Sequence, residues 1–128
     1  MNGPDAATDA IARSVLDAAF VVHSALGPGL LESIYEMCLL HELQSRGIRA
    51  TRQLALPVIY RDLHLEGGFR LDLLVEDTVV VEVKAAENHN PLFEAQLPTY
   101  LRLSRRRLGL LINFNVPRLK EGIRRMVL

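Results

Sequence analysis

Residues 69–84 read FRLDLLVEDTVVVEVK, and this stretch decides the fold. Two runs rich in Val and Leu, 69–75 and 78–84, are separated by an acidic turn at residues 76–77. Apolar, β-branched runs of this length on either side of turn-forming residues predict two antiparallel strands. We therefore expect a hairpin at the centre of the sheet.

The register of this hairpin decides whether a functional site forms. Because side chains alternate along a strand, Glu82 and Lys84 project from the same face. If the chain turns through residues 76–78, Asp72 lies directly opposite Glu82 on that face. A two-residue turn would instead pair Asp72 with Val81 and place the two carboxylates on opposite faces.

Helical periodicity and turn residues predict the elements on either side of the hairpin. The order is α-α-β-β-β-α-β-α, without internal repeats or linkers. The other elements are a helix capped at Thr8 or Asp9 and ending at Leu26, a helix over 30–46, a strand over 53–60, a helix capped by Asn90 that begins at Pro91 and ends near Leu103, a buried strand over 108–114, and a short amphipathic helix from Arg118.

Length and composition predict one globular domain. The chain has 128 residues, of which 49% are hydrophobic and 23% charged, enough for one modest core. We expect a single domain over 1–128, with residues 1–8 flexible. No apolar run reaches the roughly 18 residues of a membrane span, and no signal peptide is evident. A soluble, cytoplasmic protein without membrane association is therefore expected.

Charge is distributed unevenly along the chain. The net charge is zero, which does not favour nonspecific coating of nucleic acid. Residues 102–128 nevertheless hold eight basic residues against one acid. This block, with Arg102 and Arg105 at its start, is a candidate for phosphate contacts. A solvated helix face and loop explain it equally well.

The residues of the hairpin suit metal-dependent hydrolysis. Asp72 and Glu82 offer hard oxygen ligands, and a divalent cation such as Mg²⁺ or Mn²⁺ would relieve their repulsion. Lys84 could then hold or help to deprotonate an attacking water. The alternative is structural, with Lys84 forming a salt bridge to Glu82 or Asp72 at a strand end.

Polar residues in two helices extend the pattern. Glu32 and Tyr35 are three apart, and Gln96 and Tyr100 are four apart, so each pair shares a helix face. With Gly29 ahead of Glu32, this arrangement resembles the small proteins named for their GxxExxY motif, which are grouped with the PD-(D/E)XK nuclease superfamily. The resemblance extends from about Val21 to Met126 and includes the segments 26–32, 70–75 and 109–114.

The resemblance implies an α/β fold with a restriction-endonuclease-like core, in which helices flank a mixed central sheet of about four strands. It also implies that Asp72 and Glu82 are metal ligands, that Lys84 is the catalytic lysine and that Glu32 is an additional ligand through water. Gln96 and Tyr100 are similar to the Gln-x-x-x-Tyr helix of RecB-type nucleases, which supports the lysine, the metal waters or the substrate phosphate. Tyr35, Tyr100, Arg102 and Arg105 are the predicted substrate contacts.

Two positions depart from the family pattern. Leu71 stands where the superfamily has a proline before the aspartate, which leaves the ligand intact. Pro98 lies between Gln96 and Tyr100, and an interior proline removes a helical hydrogen bond and crowds the carbonyl of Glu94. Either the helix kinks at Pro98 or it begins later than Pro91.

The sequence leaves three functional classes open. The first is a Mg²⁺- or Mn²⁺-dependent nuclease that acts on DNA or RNA, with DNA favoured. The second is a catalytically silent nucleic-acid-binding protein, and the third is a protein-interaction module that retains only the fold. A homodimer is favoured by analogy alone, since related small nucleases must contact two strands.

Overall fold

The computed structural model describes residues 4–128, in which helices flank a mixed sheet. No helix within these residues is long and apolar enough to cross a membrane. In chain order the elements are α1 (Ala6–Leu26), α2 (Glu32–Ser45), β1 (Ala50–Tyr60), β2 (Leu63–Val75), β3 (Val79–Lys84), α3 (Pro91–Ser104), β4 (Leu108–Asn113), a 3-10 turn (Leu119–Gly122) and β5 (Ile123–Val127).

Helix α1 begins earlier than predicted. Asp5 is its N-cap, and the carboxylate Oδ1 accepts a hydrogen bond from the Thr8 amide at 2.8 Å. An aspartate is a strong N-cap because its carboxylate satisfies an amide of the first turn. The predicted cap at Thr8 or Asp9 is therefore wrong, and residues 6–8 are helical instead of flexible. Residues 1–3, also predicted to be flexible, lie outside the described residues.

The strands pair in sequence order. β1 with β2, β2 with β3, and β4 with β5 are antiparallel, whereas β3 and β4 are parallel. A parallel pair needs a crossover connection, which α3 provides. Residues 4–128 thus form a five-stranded mixed sheet, one strand more than the predicted number.

The additional strand is β5, where the sequence pattern predicted a short amphipathic helix from Arg118. That prediction is wrong beyond the 3-10 turn. Residues Ile123 to Val127 instead pair with β4, from Ile112↔Ile123 to Leu108↔Val127. The open edge of β4 offers backbone hydrogen bonds to any extended segment, and this tertiary pairing overrides the weak helical propensity of a short basic tail.

The turn between β2 and β3 selects the first of the two registers that the sequence left open. Val75 pairs with Val79, and Glu76 and Asp77 adopt left-handed conformations with φ of 50° and 57°. The Glu76 carboxylate accepts a hydrogen bond from the Arg49 amide at 2.7 Å. The guanidinium of Arg49 lies 3.1 Å from the same carboxylate. This clamp holds the strained turn and with it the alignment of the two strands.

The two faces of the sheet are buried by different helices. α1 and α2 pack against the face that carries Val79, Val81 and Val83. α3 packs against the opposite face, with Leu74 and Val80 in its cluster. Glu82 alternates with Val81 and Val83, so it lies on the α3 face beyond Val80. Asp72 lies where β2 changes face, since Leu73 packs with the α1 and α2 cluster and Leu71 with the α3 cluster.

Helix α3 starts where the sequence predicts. Asn90 caps it by accepting the Leu92 amide at 2.9 Å, and Pro91 is its first residue. The helix then continues through Pro98 to Ser104. The alternative of a start later than Pro91 is wrong, because the Asn-Pro pair combines a good cap with a residue suited to the first helical position.

Candidate active site

Backbone hydrogen bonds hold the two carboxylates of the hairpin side by side. The Asp72 amide donates to Glu82 Oε2 at 3.1 Å, and the Val83 amide donates to Asp72 Oδ2 at 2.8 Å. The backbone pairing of β2 with β3 ends just before this point, at Leu73↔Val81. Where the strands separate, the carboxylate oxygens of Asp72 and Glu82 accept the backbone amides that the neighbouring strand would otherwise bind. The two carboxylates therefore lie close together between β2 and β3.

Burial and like charge make this carboxylate pair electrostatically costly. Glu82 is only 5% exposed. Burial, and next the charge of Asp72, raise the pKa of Glu82 to about 8, although the Asp72 amide and the Lys84 charge oppose the shift. At neutral pH, Glu82 on its own therefore retains a proton. A cation bound by the two carboxylates would stabilise the charged form of Glu82 and so lower this pKa.

Lys84 lies at the end of β3 beside the carboxylates. Its Nζ is 4.7 Å from the centre of the Phe93 ring in α3, within the range of a cation–π interaction. Within the described part of the chain it forms no salt bridge to Asp72 or Glu82. Its backbone is held by β4, since the Phe114 amide donates to the Lys84 carbonyl at 2.9 Å. The alternative in which Lys84 forms a salt bridge to Glu82 or Asp72 is therefore not observed among the described residues.

The segment after Lys84 is also tied to β4. Asn113 accepts the Ala86 amide at 3.1 Å through Oδ1 and donates to the Ala86 carbonyl at 2.9 Å through Nδ2. A small cavity of about 90 Å³ opens here, with Lys84, Phe93 and Asn113 in its wall. The backbone that carries the Lys84 ammonium group is therefore held in place, and the side chain borders the cavity.

Helix α2 contributes two acidic residues to the same region. Glu32 lies at its first position, and the pKa of Glu32 is raised by burial of the carboxyl group and by Asp72, against the opposing charge of Lys84. Glu36, one turn later, is only 4% exposed. Its pKa is also raised, first by burial and then by Asp72, while hydrogen bonds from Gln53 and Arg52 oppose the shift.

Glu36 was missed by the sequence analysis, although a signal was present. It lies three residues before Leu39 and seven before Leu43, both of which are fully buried. An acidic residue at a core position of an amphipathic helix is unusual and calls for a partner. The partner residues Arg52 and Gln53 lie in β1, and their involvement depends on how that strand bends.

Tyr35 has a structural position that differs from the predicted substrate contact. Its side chain is fully buried. The hydroxyl donates to the Gly27 carbonyl at 2.6 Å and accepts from the Leu30 amide at 3.1 Å. The ring stacks on Phe114 with centroids 4.7 Å apart. Tyr35 thus ties the Gly-Pro-Gly loop to the core and offers no surface to a substrate.

Helix α3 brings Phe93, Gln96 and Tyr100 to the carboxylates on one face, at spacings of three and four residues. Tyr100 is half-buried and stacks on Phe69 with ring centroids 5.4 Å apart. Burial, and then the charges of Glu82 and Asp72, raise the pKa of its hydroxyl. Gln96, also half-buried, lies one turn before Tyr100. Tyr100 therefore lies near Glu82 and Asp72 despite Pro98, and helical spacing puts Gln96 on the same side of α3.

The predicted arginine contacts lie elsewhere. Arg105 is the C-cap of α3, next to Thr78 and the start of β4, whereas Lys84 is at the opposite end of these parallel strands. Arg105 follows Tyr100 by five residues and lies toward the Val79 end of β3, away from Lys84. Arg102, in the last turn of α3, is exposed and donates to Thr99 at 3.3 Å. Neither residue joins the site.

Much of the basic block is engaged by acidic partners. The ion pairs are Arg106 with Asp77 at 2.6 Å, Arg125 with Asp9 at 2.5 Å, Arg124 with Glu94 at 3.3 Å and Arg118 with Glu121 at 3.7 Å. Three of these acids come from outside the block. Local charge in the sequence therefore overstates the positive potential available to phosphate groups.

The donor set fits a divalent cation that keeps part of its water. No group of three or more His, Cys, Asp or Glu side chains in residues 4–128 is close enough to form a complete protein cage. Mg²⁺ commonly uses only one or two carboxylates, with waters and substrate phosphates as its remaining ligands. Asp72 and Glu82, whose repulsion raises the pKa of Glu82, match that requirement.

Comparison with known proteins supports the same class. Residues 9–126 match the sequence model of the PD-(D/E)XK nuclease superfamily. No curated protein and no solved structure gives a significant match. The mixed sheet with helices on both faces is consistent with a restriction-endonuclease-like fold. The match covers almost the whole described chain, and the chain belongs to the PD-(D/E)XK nuclease superfamily.

Proposed function

We propose that this protein is a divalent-metal-dependent nuclease. Its active site for the hydrolysis of phosphodiester bonds comprises Asp72, Glu82 and Lys84. The observation that carries the proposal is the reciprocal pair of backbone hydrogen bonds at 3.1 and 2.8 Å, which holds the two carboxylates together at the separation of β2 and β3. Such a pair is costly without a cation. Lys84 lies two residues from Glu82 and is free of a competing salt bridge among the described residues.

Each residue has a proposed task. Asp72 and Glu82 would hold Mg²⁺ or Mn²⁺, and Glu32 would contribute through water. When bound, the cation supplies Lewis-acid stabilisation of the phosphate charge and lowers the pKa of water. Lys84, directed by Phe93, donates hydrogen bonds to the attacking water or to a phosphate oxygen.

Helix α3 would position the substrate. Burial, and then the charges of Glu82 and Asp72, raise the pKa of Tyr100, so its hydroxyl keeps its proton and can donate to a phosphate oxygen. Gln96, on the same helix face, is the proposed partner of Lys84 or of bound water.

The finer assignments are also proposals. Membership of the GxxExxY group is supported by Gly29, Glu32 and Tyr35, and Tyr35 has a structural use within that motif. DNA is proposed as the substrate in preference to RNA. A homodimer would supply the surface that so small a core lacks, and a cytoplasmic location is the simplest expectation from the sequence.

Cleavage assays test the function. Single-stranded, duplex and branched nucleic acids are incubated with Mg²⁺, Mn²⁺ or EDTA, and Lys84→Ala is assayed in parallel. We expect cleavage that requires the metal and is lost in Lys84→Ala. Cleavage that survives the substitution would indicate contamination. Binding that weakens with salt, without any cleavage, would favour a catalytically silent nucleic-acid-binding protein.

A further inference from the structure

Strand β1 is interrupted where it passes the candidate site. Its pairing with β2 runs through Arg52↔Leu73 and Leu54↔Leu71, but the residue between, Gln53, has φ of 54° and no ladder partner. This left-handed conformation is unfavourable for a residue with a Cβ atom. Residues held in this way need surrounding contacts that impose the conformation, and they cluster at functional sites.

The left-handed residue also changes the face that β1 presents. Ala50 packs with the α1 and α2 cluster, whereas Leu54 packs with the α3 cluster. Regular alternation would place these two residues, four apart, on the same face. The break at Gln53 therefore redirects the strand and turns the side chain of Gln53 toward the carboxylates.

The carboxamide of Gln53 bridges two of those carboxylates. Its Nε2 donates to Glu36 Oε1 at 2.7 Å and to Asp72 Oδ1 at 3.4 Å. An amide nitrogen carries two protons, and an ionised carboxylate can only accept. One neutral side chain thus separates two negative groups and restrains both.

Glu36 is the fixed end of this bridge. Its Oε2 accepts from Arg52 Nε at 2.9 Å, so both of its oxygens have donors. At 4% exposure it has little room for a further ligand. Asp72 is restrained from the opposite side by the Val83 amide at 2.8 Å. The carboxylate of Asp72 is therefore gripped between β1 and β3.

We infer that Gln53 is a positioning residue, which uses the Arg52–Glu36 pair as an anchor to hold the Asp72 carboxylate in the orientation that binds the cation. Glu36 in this assignment is an anchor and not a ligand. The inference deepens the proposed function and rests on it for the role of Asp72. Hydrogen-bonding partners of metal ligands commonly tune affinity in this way.

The test uses two substitutions of left-handed residues by glycine. Gln53→Gly removes the carboxamide while glycine readily adopts the positive φ. Arg61→Gly is the matched control, since Arg61 is exposed at the β1–β2 turn and has φ of 55°. Both variants relieve the same kind of backbone strain, but only the first breaks the bridge.

Two readouts are measured on the whole protein. Amide hydrogen exchange in the metal-free protein reports on Val83, and a Mn²⁺ titration followed by electron paramagnetic resonance reports the dissociation constant. In Gln53→Gly we expect Val83 to exchange faster while other β3 amides are unchanged, and the Mn²⁺ dissociation constant to rise about 10-fold or more. Its Tm should not fall. Arg61→Gly should alter neither readout.

Wild-type values of both readouts in Gln53→Gly would overturn the inference. If that variant lowers the Tm, Gln53→Asn replaces it, because asparagine tolerates positive φ but is one methylene too short for the bridge. Its expected results are the same, and wild-type values again overturn the inference. Asp72→Ala is the control for the metal site. If the wild type binds no Mn²⁺, or binds Mn²⁺ that Asp72→Ala does not abolish, the proposed function fails. The exchange rate of the Val83 amide still decides whether Gln53 positions Asp72.

Discussion

The two ends of the central hairpin differ in whether their charged side chains form ion pairs. At the turn, Glu76 is clamped by Arg49, whose guanidinium lies 3.1 Å away, and Asp77 is paired with Arg106 at 2.6 Å. Each acidic group there has a basic partner, and these exposed contacts serve to hold a strained turn. Exposed pairs of this kind contribute little free energy individually.

At the other end of the hairpin the charges are left uncompensated. Burial and the charge of Asp72 keep a proton on Glu82, and Lys84 faces an aromatic ring instead of a carboxylate. The comparison shows that charge density alone does not identify a site. A buried arrangement that is costly without a ligand, set beside a free cationic group, is the more informative feature.

The largest effect should come from removing the uncompensated charges. Asp72→Ala and Lys84→Ala should each lower kcat/KM for metal-dependent cleavage by about 1000-fold, because each removes a group proposed to stabilise the transition state. Steady-state cleavage of a labelled duplex measures this. Arg106→Ala, at the turn end, is the control and should cleave like the wild type. An equal loss in Arg106→Ala would mean that the two ends do not differ in function.

The next effect concerns pH. The pKa of Glu82 is about 8 in the folded protein and near 4.5 when unfolded, so the folded state binds the proton more tightly between these values. The free energy of unfolding of the metal-free protein should therefore fall as pH rises through that window and level off above it. Glu82→Gln should remove this loss and be more stable than the wild type at pH 9, by several kcal/mol.

Urea denaturation across pH 5 to 9 checks that prediction. Added Mg²⁺ should restore wild-type stability at pH 9 and have little effect on Glu82→Gln, since the cation replaces the proton at the carboxylate pair. A wild type whose stability does not change over this range would contradict the assignment of Glu82 as the strained acid.

A smaller effect is expected at Tyr35, whose buried hydroxyl already has hydrogen-bond partners within the protein. Tyr35→Phe removes both hydrogen bonds of the buried hydroxyl and should lower the free energy of unfolding by about 1 to 2 kcal/mol. The Mn²⁺ dissociation constant should be unchanged. Weaker substrate binding without any loss of stability would instead restore the sequence-based prediction that Tyr35 contacts the substrate.

The smallest effect belongs to the paired turn. A double-mutant cycle of Arg106→Ala and Asp77→Ala should give a coupling energy below about 1 kcal/mol, since Asp77 is largely exposed. The coupling should decrease further in high salt. Thermal denaturation at two salt concentrations measures it. A large, salt-independent coupling would show that this end is as tightly organised as the carboxylate pair.

Several features could be predicted because they depend on local chemistry. The Asn90 cap with Pro91 placed α3 correctly, and the apolar runs on either side of the acidic turn predicted β2 and β3. The sequence left two registers open, and the three-residue turn in the structure selects the one in which Val75 pairs with Val79. The pattern from Arg118 onward misled, because it predicted a short amphipathic helix where β5 pairs with β4. The substrate contact at Arg105 stays a prediction, and the structure places that residue at the C-terminal end of α3.

The sequence by itself determined the central hairpin and the alternation that puts Glu82 and Lys84 on one face, because these follow from neighbouring residues. Only the tertiary structure decided the register of the hairpin and the bridge in which Gln53 of β1 donates to Asp72 of β2 and to Glu36 of α2. Those contacts join residues 17 and 19 positions apart and require a left-handed break in a strand. Neither residue pattern nor propensity encodes such a break, since the packing of two sheet faces imposes it.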